Sequence, residues 1–80
     1  MGAQVSASIA DAAQAVTPSD TADNYFNYLY VGTGGDVVVD GEAGGTTIVH
    51  KNVASGSYIW LRVKKVRSTS TTATDIVGYR

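Results

Sequence analysis

The single histidine, His50, belongs to the residue type that most often transfers protons near neutral pH, so it is the first candidate for chemistry. Serines and aspartates that could complete a hydrolytic triad are also present. No serine stands in a strand-to-helix nucleophile elbow, and His50 lies between Val49 and Lys51 in a strand-like run. We therefore predict that the protein is not an enzyme and has no catalytic residue.

Two glycine-rich segments could bind phosphate, and the aspartates before position 41 could bind calcium. Residues 32–36 (GTGGD) are not followed by a helical pattern, and residues 44–47 (GGTT) lack the lysine of a phosphate-binding loop. The aspartates do not match the spacing of a calcium-binding loop. The sequence therefore predicts tight turns at the glycines, and neither a cofactor nor a metal site.

A basic cluster late in the chain could contact the phosphates of a nucleic acid. It consists of Arg62, Lys64, Lys65 and Arg67, but the whole protein has a formal net charge of −1. Nucleic-acid-binding domains are usually basic overall. We therefore predict no nucleic-acid partner, and a role for these charges on a solvated strand face or in ion pairs.

The charges are divided between the two parts of the sequence. Residues 1–50 contain six acidic residues and no Lys or Arg, whereas residues 51–80 contain six Lys and Arg residues and one acidic residue. Such segments attract each other, either within one folded copy or between neighbouring copies of an assembly. The sequence leaves both arrangements open, since each exposed ion pair contributes only ~0–1 kcal/mol.

Aromatic side chains form the remaining group with a potential binding role. Those at positions 26, 28 and 30 alternate along one predicted strand, another precedes them at position 25, and the single tryptophan lies at position 60. Tyr and Trp are enriched at protein interfaces, but they also pack in cores and form sugar-binding platforms. We predict an interaction surface that contains Tyr25, Phe26, Tyr28, Tyr30, Trp60, Arg62 and Lys64.

The elements that must position these residues are predicted to be β-strands. From residue 25 onward, runs of β-branched and aromatic residues alternate with breaks rich in Gly, Asn, Ser and Thr. Five strands are predicted, at residues 25–31, 36–40, 46–51, 57–67 and 75–79. The short connections favour antiparallel neighbours. The predicted fold class is all-β, with residues 25–80 forming a single small antiparallel β-sandwich or barrel.

Period-two alternation predicts which face each strand buries. Ile59, Leu61 and Val63 share one face of the longest strand, and the alternation slips at Lys64 and Lys65, which predicts a β-bulge or a strand end there. In the first strand, residues 29 and 31 face away from the aromatic row. Each of these strands therefore has one face for the core and one for another role.

Residues 1–24 are predicted to form a separate N-terminal arm. Val5, Ile9, Ala13 and Val16 recur at helix-like spacing, but the apolar face is thin, and Pro18 favours extended backbone before it. The prediction is an extended or partly helical arm that is mobile when no partner is present.

The size of the chain predicts that it assembles with other protein. A domain of 80 residues buries only about 60% of the surface that its unfolded chain exposes. With no cysteine, neither disulfides nor thiolate metal sites can add stability, so association remains. The sequence shows neither a signal peptide nor an apolar run long enough for a membrane span. We therefore expect a soluble protein without a membrane partner.

The sequence resembles the small head-spike base proteins of tailed phages and of gene transfer agents, which are phage-like particles. The likeness runs through residues 15–23 (AVTPSDTAD), 29–37 (LYVGTGGDV), 45–47 (GTT), 51–53 (KNV), 55–56 (SG), 62–66 (RVKKV) and 71–77 (TTATDIV). It covers most of the chain from about residue 15. Residues 24–28 and 41–44 depart from the family pattern, and residues 1–14 are not covered.

The resemblance implies a virion structural protein on the capsid surface, assembled in the host cytoplasm. It implies a homo-oligomeric ring at a capsid vertex, with a pentamer favoured, that contacts the major capsid protein and anchors a spike or fibre protein. The family carries no catalytic or cofactor residues. A capsid decoration protein is the alternative, and a small carbohydrate-binding module that uses Trp60 and the tyrosines is a further one.

Overall fold

The computed structural model describes residues 10–80, which form seven β-strands and no helix. No helix in this part of the chain therefore has the length and hydropathy of a membrane span. The strands are β1 (Ala13–Ala15), β2 (Tyr28–Thr33), β3 (Gly35–Gly41), β4 (Thr47–Val53), β5 (Ser57–Ile59), β6 (Val63–Val66) and β7 (Thr74–Tyr79). The predicted all-β fold is confirmed, with two more strands than the sequence pattern indicated.

The strands form two antiparallel sheets that pack as a β-sandwich. Sheet A has the order β1-β7-β2-β5, and sheet B has the order β4-β3-β6. The tight β3–β4 connection is a hairpin turn at residues 42–45, as its glycines predicted. Because β7 lies between β1 and β2, segments far apart in the sequence meet in one sheet.

The core lies between the sheets and is built from alternate residues of each strand. Sheet A contributes Leu29, Val31, Ile59 and Ile76, and sheet B contributes Val37, Val39, Val63 and Val66, all buried. The predicted inward face of the first strand is therefore confirmed at positions 29 and 31. Fully burying such aliphatic side chains contributes about 1.5–3 kcal/mol each.

The predicted strand 57–67 is wrong as a single element, because the chain passes from one sheet to the other within it. Residues 60–62 form a corner between β5 in sheet A and β6 in sheet B, and Leu61 is consequently 38% exposed. The slip in alternation has the predicted cause. Asp40 pairs with Lys65 and Gly41 with Val63, which leaves Lys64 as the extra residue of a β-bulge.

Phe26 also lies where the chain changes sheets. Tyr25 has a φ of 57°, in the left-handed region, and Phe26 forms a bridge with Val63 of sheet B before β2 begins in sheet A. The Phe26 ring packs over Gly78, where an added Cβ would lie 2.4 Å from the ring, and the guanidinium of Arg80 lies 4.7 Å from its centroid. Gly78 therefore provides the space that this buried ring needs.

Residues 10–24 pack along the edges of both sheets. Ala13–Ala15 pairs with β7, the amide of Ser19 donates to the carbonyl of Val66, and the amide of Asn24 donates to the carbonyl of Lys64, both at 2.8 Å. This part of the arm is thus extended and fixed by backbone hydrogen bonds, and the prediction of a mobile arm fails for it. The predicted helical spacing includes Val5 and Ile9, which lie outside the described residues.

Candidate functional site

Five aromatic side chains cluster on the outer face of sheet A. They are Tyr28, Tyr30, Tyr58, Trp60 and Tyr79, and we call this cluster the aromatic face. Trp60 is 73% exposed and Tyr58 is 44% exposed, and the other three are half-buried. A group of large apolar side chains left at the surface in this way is typical of an interaction site.

Strand register brings these side chains together. Tyr28 lies opposite Tyr79 of β7, and Tyr30 lies opposite Tyr58 of β5, so all four project from the same side of the sheet. Ala13, Ala15 and Val77 extend the same face across β1 and β7, because their registered partners belong to it. The face is four strands wide. Its two rows of paired residues, Ala13–Tyr79–Tyr28 and Ala15–Val77–Tyr30–Tyr58, contain no charged side chain.

The rings support one another in defined geometries. Tyr58 and Trp60 stack with centroids 4.8 Å apart, Tyr28 and Tyr79 stack at 4.9 Å, and Tyr28 lies 5.0 Å from Trp60. Tyr30 meets Tyr58 edge-on at 5.1 Å. Such aromatic pairs contribute about 0.5–1.5 kcal/mol each beyond the area that they bury. The aromatic face is therefore partly ordered before any partner binds.

The structure brings together only some of the residues that the sequence predicted for the interaction surface. Tyr28, Tyr30 and Trp60 belong to the aromatic face. Phe26 is fully buried in the core and does not reach the surface, because the chain changes sheets just before β2. Tyr25 is 50% exposed but makes no ring contact with the aromatic face.

The two predicted basic residues lie beside the corner between the sheets. Arg62 is exposed in the corner, and Lys64 is the half-buried residue of the β-bulge. Neither forms a salt bridge within residues 10–80. Their positive charges therefore have no acidic partner within the described residues, two and four positions after Trp60 in the sequence.

Most of the other basic residues pair with acidic residues of the same copy. The amine of Lys65 lies 3.4 Å from Asp23, and that of Lys51 lies 3.6 Å from Asp36. Each pair joins an acidic residue from the first 50 positions to a basic residue from the last 30. With the pair of Arg67 and Asp40, half of the six basic residues are paired within one folded copy in residues 10–80.

The most buried ion pair joins Asp40 on β3 to Arg67 after β6. Asp40 is 5% exposed, and its carboxylate accepts hydrogen bonds from Arg67 Nε at 3.0 Å, from Arg67 Nη2 at 2.8 Å and from Thr47 Oγ1 at 2.5 Å. The hydrogen bonds from Arg67, followed by that from Thr47, lower the pKa of Asp40 to about 2. The pair fastens β3, β4 and the end of β6 to one another.

Asp20 holds the arm to the serine- and threonine-rich loop at residues 68–72. Its carboxylate accepts hydrogen bonds from the backbone amides of Ser68 and Thr69, each at 3.0 Å, and from the Thr69 hydroxyl. The bonds from Thr69 lower the pKa of Asp20. Asp20 therefore has a structural role in fixing residues 10–24.

The residues first considered for chemistry are not assembled into a site within the described chain. The Nδ1 atom of His50 is buried and has no hydrogen-bond partner in residues 10–80, so no serine or aspartate there orients it. Among the same residues, no group of three or more His, Cys, Asp or Glu side chains could hold a metal ion. The geometry instead concentrates the unusual surface features on the aromatic face.

Sequence reasoning missed two members of the aromatic face, Tyr58 and Tyr79. Tyr58 stands two residues before Trp60, so period-two alternation within the predicted strand places both on one face. Tyr79 could not be assigned in this way, because its place depends on the pairing of β7 with β2. The position of Tyr58 could therefore be predicted from neighbouring residues, whereas that of Tyr79 depends on which strands pair.

Tyr and Trp side chains on an outer sheet face are typical of surfaces that contact other proteins. Comparison with solved structures found a similar chain in the structure described as the capsid of a native GTA particle computed with C5 symmetry. The two chains are 36% identical with a TM-score of 0.78, over 89% of this chain and 83% of that one. The protein therefore belongs to the family of this gene transfer agent capsid component and is a capsid-related protein. No family model and no curated protein matched the sequence.

Proposed function

We propose that the protein is a head-spike base: a virion structural protein that forms a symmetric ring at a capsid vertex and anchors a spike or fibre. The observation that carries this proposal is the family relation to a capsid component solved in a particle with C5 symmetry. A five-fold vertex presents five equivalent positions, so a pentamer of this chain fits it.

The aromatic face supplies the main contact in this proposal. Trp60 and Tyr58 are the most exposed of its rings, and aromatic side chains bury large area at low entropy cost. Arg62 and Lys64, which form no salt bridge within residues 10–80, follow Trp60 by two and four positions along the chain and would fit an acidic rim on the partner. The partner for this face is the major capsid protein, and the spike or fibre protein binds elsewhere on the ring.

This function needs geometry and no chemical step, so the proposal includes no enzymatic activity. The protein holds its partners through packing and charge, in the virion, at the outer surface of the capsid. Assembly follows synthesis in the cytoplasm of the host. No cofactor, nucleic acid or membrane takes part.

A capsid decoration protein is the second candidate, because the same aromatic face could dock at many positions of the shell. A carbohydrate-binding module is less well supported. Apart from the tyrosine hydroxyls and the Trp60 indole, the residues that extend the aromatic face within sheet A are Ala13, Ala15 and Val77, which offer no polar side chains to bind sugar hydroxyls.

Purified particles and purified protein test the proposal together. Cryo-electron microscopy of particles that contain the protein is expected to show its density at the five-fold vertices, and density over the whole shell would support the decoration alternative instead. Sedimentation velocity of the purified protein is expected to show a pentamer, and a monomer at every concentration would contradict the ring.

Substitutions separate the contact surface from the fold. Trp60→Ala and Tyr58→Ala are expected to abolish attachment to particles that lack the protein, because they remove the most exposed rings. Tyr25→Ala is the matched control for Tyr58→Ala, since Tyr25 is 50% exposed and Tyr58 44%, but Tyr25 lies outside the aromatic face. If Tyr25→Ala prevents attachment and Trp60→Ala does not, the aromatic face is not the capsid contact.

A further inference from the structure

A groove of about 430 Å³ opens beside the start of β7, between that strand and residues 16–18. Its apolar base includes Ala73 and Ile76, which are 4% and 3% exposed, and the half-buried Val16. Its rim carries exposed hydroxyl side chains, those of Thr17, Ser68, Thr72 and Thr74. This lining fits a chain segment that has one apolar side and one uncharged polar side.

The groove also contains backbone groups of β7 that no strand covers. The Val16 amide donates to the Ile76 carbonyl at 2.8 Å, so Ile76 directs its backbone groups towards this side of the strand. Because that direction alternates along a strand, Thr74 directs its amide and carbonyl to the same side. The continued register places Pro18 opposite Thr74, and proline has no amide to donate. Within residues 10–80, Thr74 forms no backbone hydrogen bond on this side, so β7 has an open edge along the groove.

The connection to residues 1–9 lies at the opposite end of β7. The Ala12 amide donates to the carbonyl of Arg80, which follows β7, whereas the groove lies beside Thr74, the first residue of β7. Six steps of about 3.3 Å separate Thr74 from Arg80, so the two places are about 20 Å apart. Nine extended residues reach at most about 30 Å, so a segment folded back along its own copy would keep only about three residues for the groove. A neighbouring copy can present its groove at this end and receive the whole segment.

Residues 1–9 have the sequence alternation of a strand with one apolar side. Helix-like spacing through Val5 and Ile9 also needs the residues at positions 13 and 16, which lie in extended backbone along β7. The alternative period is two, and it holds over the whole segment. Met1, Ala3, Val5, Ala7 and Ile9 are apolar, and Gly2, Gln4, Ser6 and Ser8 between them are small or polar. The segment has no charged side chain, so Asp75 at the groove does not repel it.

The segment and the groove are two different patches at opposite ends of one copy. A contact between different patches is head-to-tail, and repeated head-to-tail contacts form a ring when the rotation between copies closes. Each copy supplies one segment and one groove, so every groove of a ring is filled without a partner of another kind. This is the stoichiometry that a ring of identical subunits needs.

We propose that residues 1–9 of each copy add a strand to sheet A of the next copy, in the groove beside Thr74. This inference rests on the proposed ring and names its subunit contact. The apolar side chains at odd positions pack on Ala73 and Ile76, the backbone pairs with the open edge at Thr74, and the polar side chains meet the hydroxyl rim. The aromatic face takes no part in this contact and is left for the capsid.

Cysteine pairs test the contact directly, because the chain has no cysteine of its own. A chain with both Ser6→Cys and Thr17→Cys, treated with a short thiol-specific cross-linker, is expected to give a ladder of covalent oligomers that ends at the ring size. Copies with only Ser6→Cys, mixed with copies with only Thr17→Cys, are expected to give a covalent dimer that contains one of each. Ser6→Cys with Glu42→Cys is the matched control, since Glu42 is exposed in the β3–β4 turn, and it is expected to give no covalent oligomer. Circular dichroism and the unfolding midpoint establish that the variants fold.

Two adjacent substitutions test the alternation itself. Val5→Asp is expected to raise the protein concentration needed for half-assembly roughly tenfold or more, because the new carboxylate would be buried against the apolar base of the groove. Ser6→Asp is the matched control, since it adds the same charge on the polar side, and it is expected to change that concentration by less than about threefold. Deletion of residues 1–9 is expected to abolish assembly at concentrations where the full chain forms the ring. Sedimentation velocity over a dilution series measures all three.

The outcomes separate the strand exchange from the ring itself. If the protein forms a ring that neither Val5→Asp nor the deletion weakens, the exchange is refuted and the ring remains. Equal effects of Val5→Asp and Ser6→Asp would also refute the exchange, as would a doubly substituted cysteine chain that cross-links only as a monomer, since its segment then fills its own groove. A ring that forms without residues 1–9 but no longer attaches to particles would assign the segment to the capsid instead. A protein that is monomeric at every concentration and gives no mixed dimer would refute both proposals. If Thr17→Cys fails to fold, the comparison of Val5→Asp with Ser6→Asp decides.

Discussion

The ion pair of Asp40 with Arg67 predicts how stability changes with pH. We consider Asp40→Asn, which keeps the size of the side chain but removes its charge. In the folded protein the carboxylate is 5% exposed, and Arg67 binds it through Nε and Nη2 at 3.0 and 2.8 Å. Arg67 keeps access to water, since its side chain is 33% exposed. The substitution therefore tests the charge–charge contact without stranding a buried cation.

The magnitude follows from the pKa of Asp40, which the hydrogen bonds of Arg67 and Thr47 lower from 3.8 to about 2. A lowered pKa means that folding favours the ionised carboxylate. Its contribution is fully present above pH 3.8 and is lost as the pH falls towards 2. Because one pKa unit corresponds to about 1.4 kcal/mol, the contribution at neutral pH is about 2 kcal/mol.

The assay is urea unfolding of wild type and Asp40→Asn from pH 7 to pH 2, at one fixed protein concentration so that assembly does not vary. We expect the variant to be about 2 kcal/mol less stable at pH 7, with the difference shrinking as the pH falls from 4 to 2. Asp11→Asn, at an exposed position without a salt bridge in residues 10–80, should parallel wild type. A difference that is constant with pH, or below about 0.5 kcal/mol at pH 7, would refute the reasoning.

Three further predictions concern the core, the surface and the arm. Gly78→Ala should lower the free energy of unfolding, measured by chemical denaturation, by about 1–3 kcal/mol, because the new Cβ clashes with the Phe26 ring. Gly41→Ala is the control, since a Cβ added there would lie 3.9 Å from the nearest atom, the Ala43 carbonyl oxygen, and would cause no clash. Trp60→Ala should change the unfolding free energy of the monomer by less than about 1.5 kcal/mol, since the ring is mostly exposed, and a larger loss would place it in the core. Asp20→Ala should speed amide exchange in the serine- and threonine-rich loop, measured by mass spectrometry, and unchanged exchange there would contradict its role as an anchor.

The features that the sequence predicted well are those that alternation within a strand determines. Leu29 and Val31 alternate with tyrosines, and they are buried as expected. The phase slip at Lys64 and Lys65 has no explanation in a regular strand, so it correctly indicated the β-bulge. In both cases neighbouring residues carry the whole signal.

The features that the sequence did not predict depend on contacts between distant segments. Ile59, Leu61 and Val63 alternate as in one strand, and nothing local marks the corner where the chain leaves sheet A. The strand Ala13–Ala15 lacks β-branched residues, so it is recognised only through its pairing with β7. Phe26 continues the aromatic alternation, yet the turn at Tyr25 and the space above Gly78 direct it into the core.

The central position of β7 in sheet A also sets the order in which the molecule can mature during synthesis. β7 is hydrogen-bonded to both β1 and β2, yet it is translated after all the other strands. At about 5–20 residues per second, a ribosome releases β1 and β2 seconds before their common partner. The β3–β4 hairpin can form early, whereas sheet A must wait, and such non-local pairing is slow. Since the aromatic face is completed by Tyr79 from β7, a nascent chain gains its full surface only once that strand has been inserted. Premature docking of half-made subunits is thereby disfavoured.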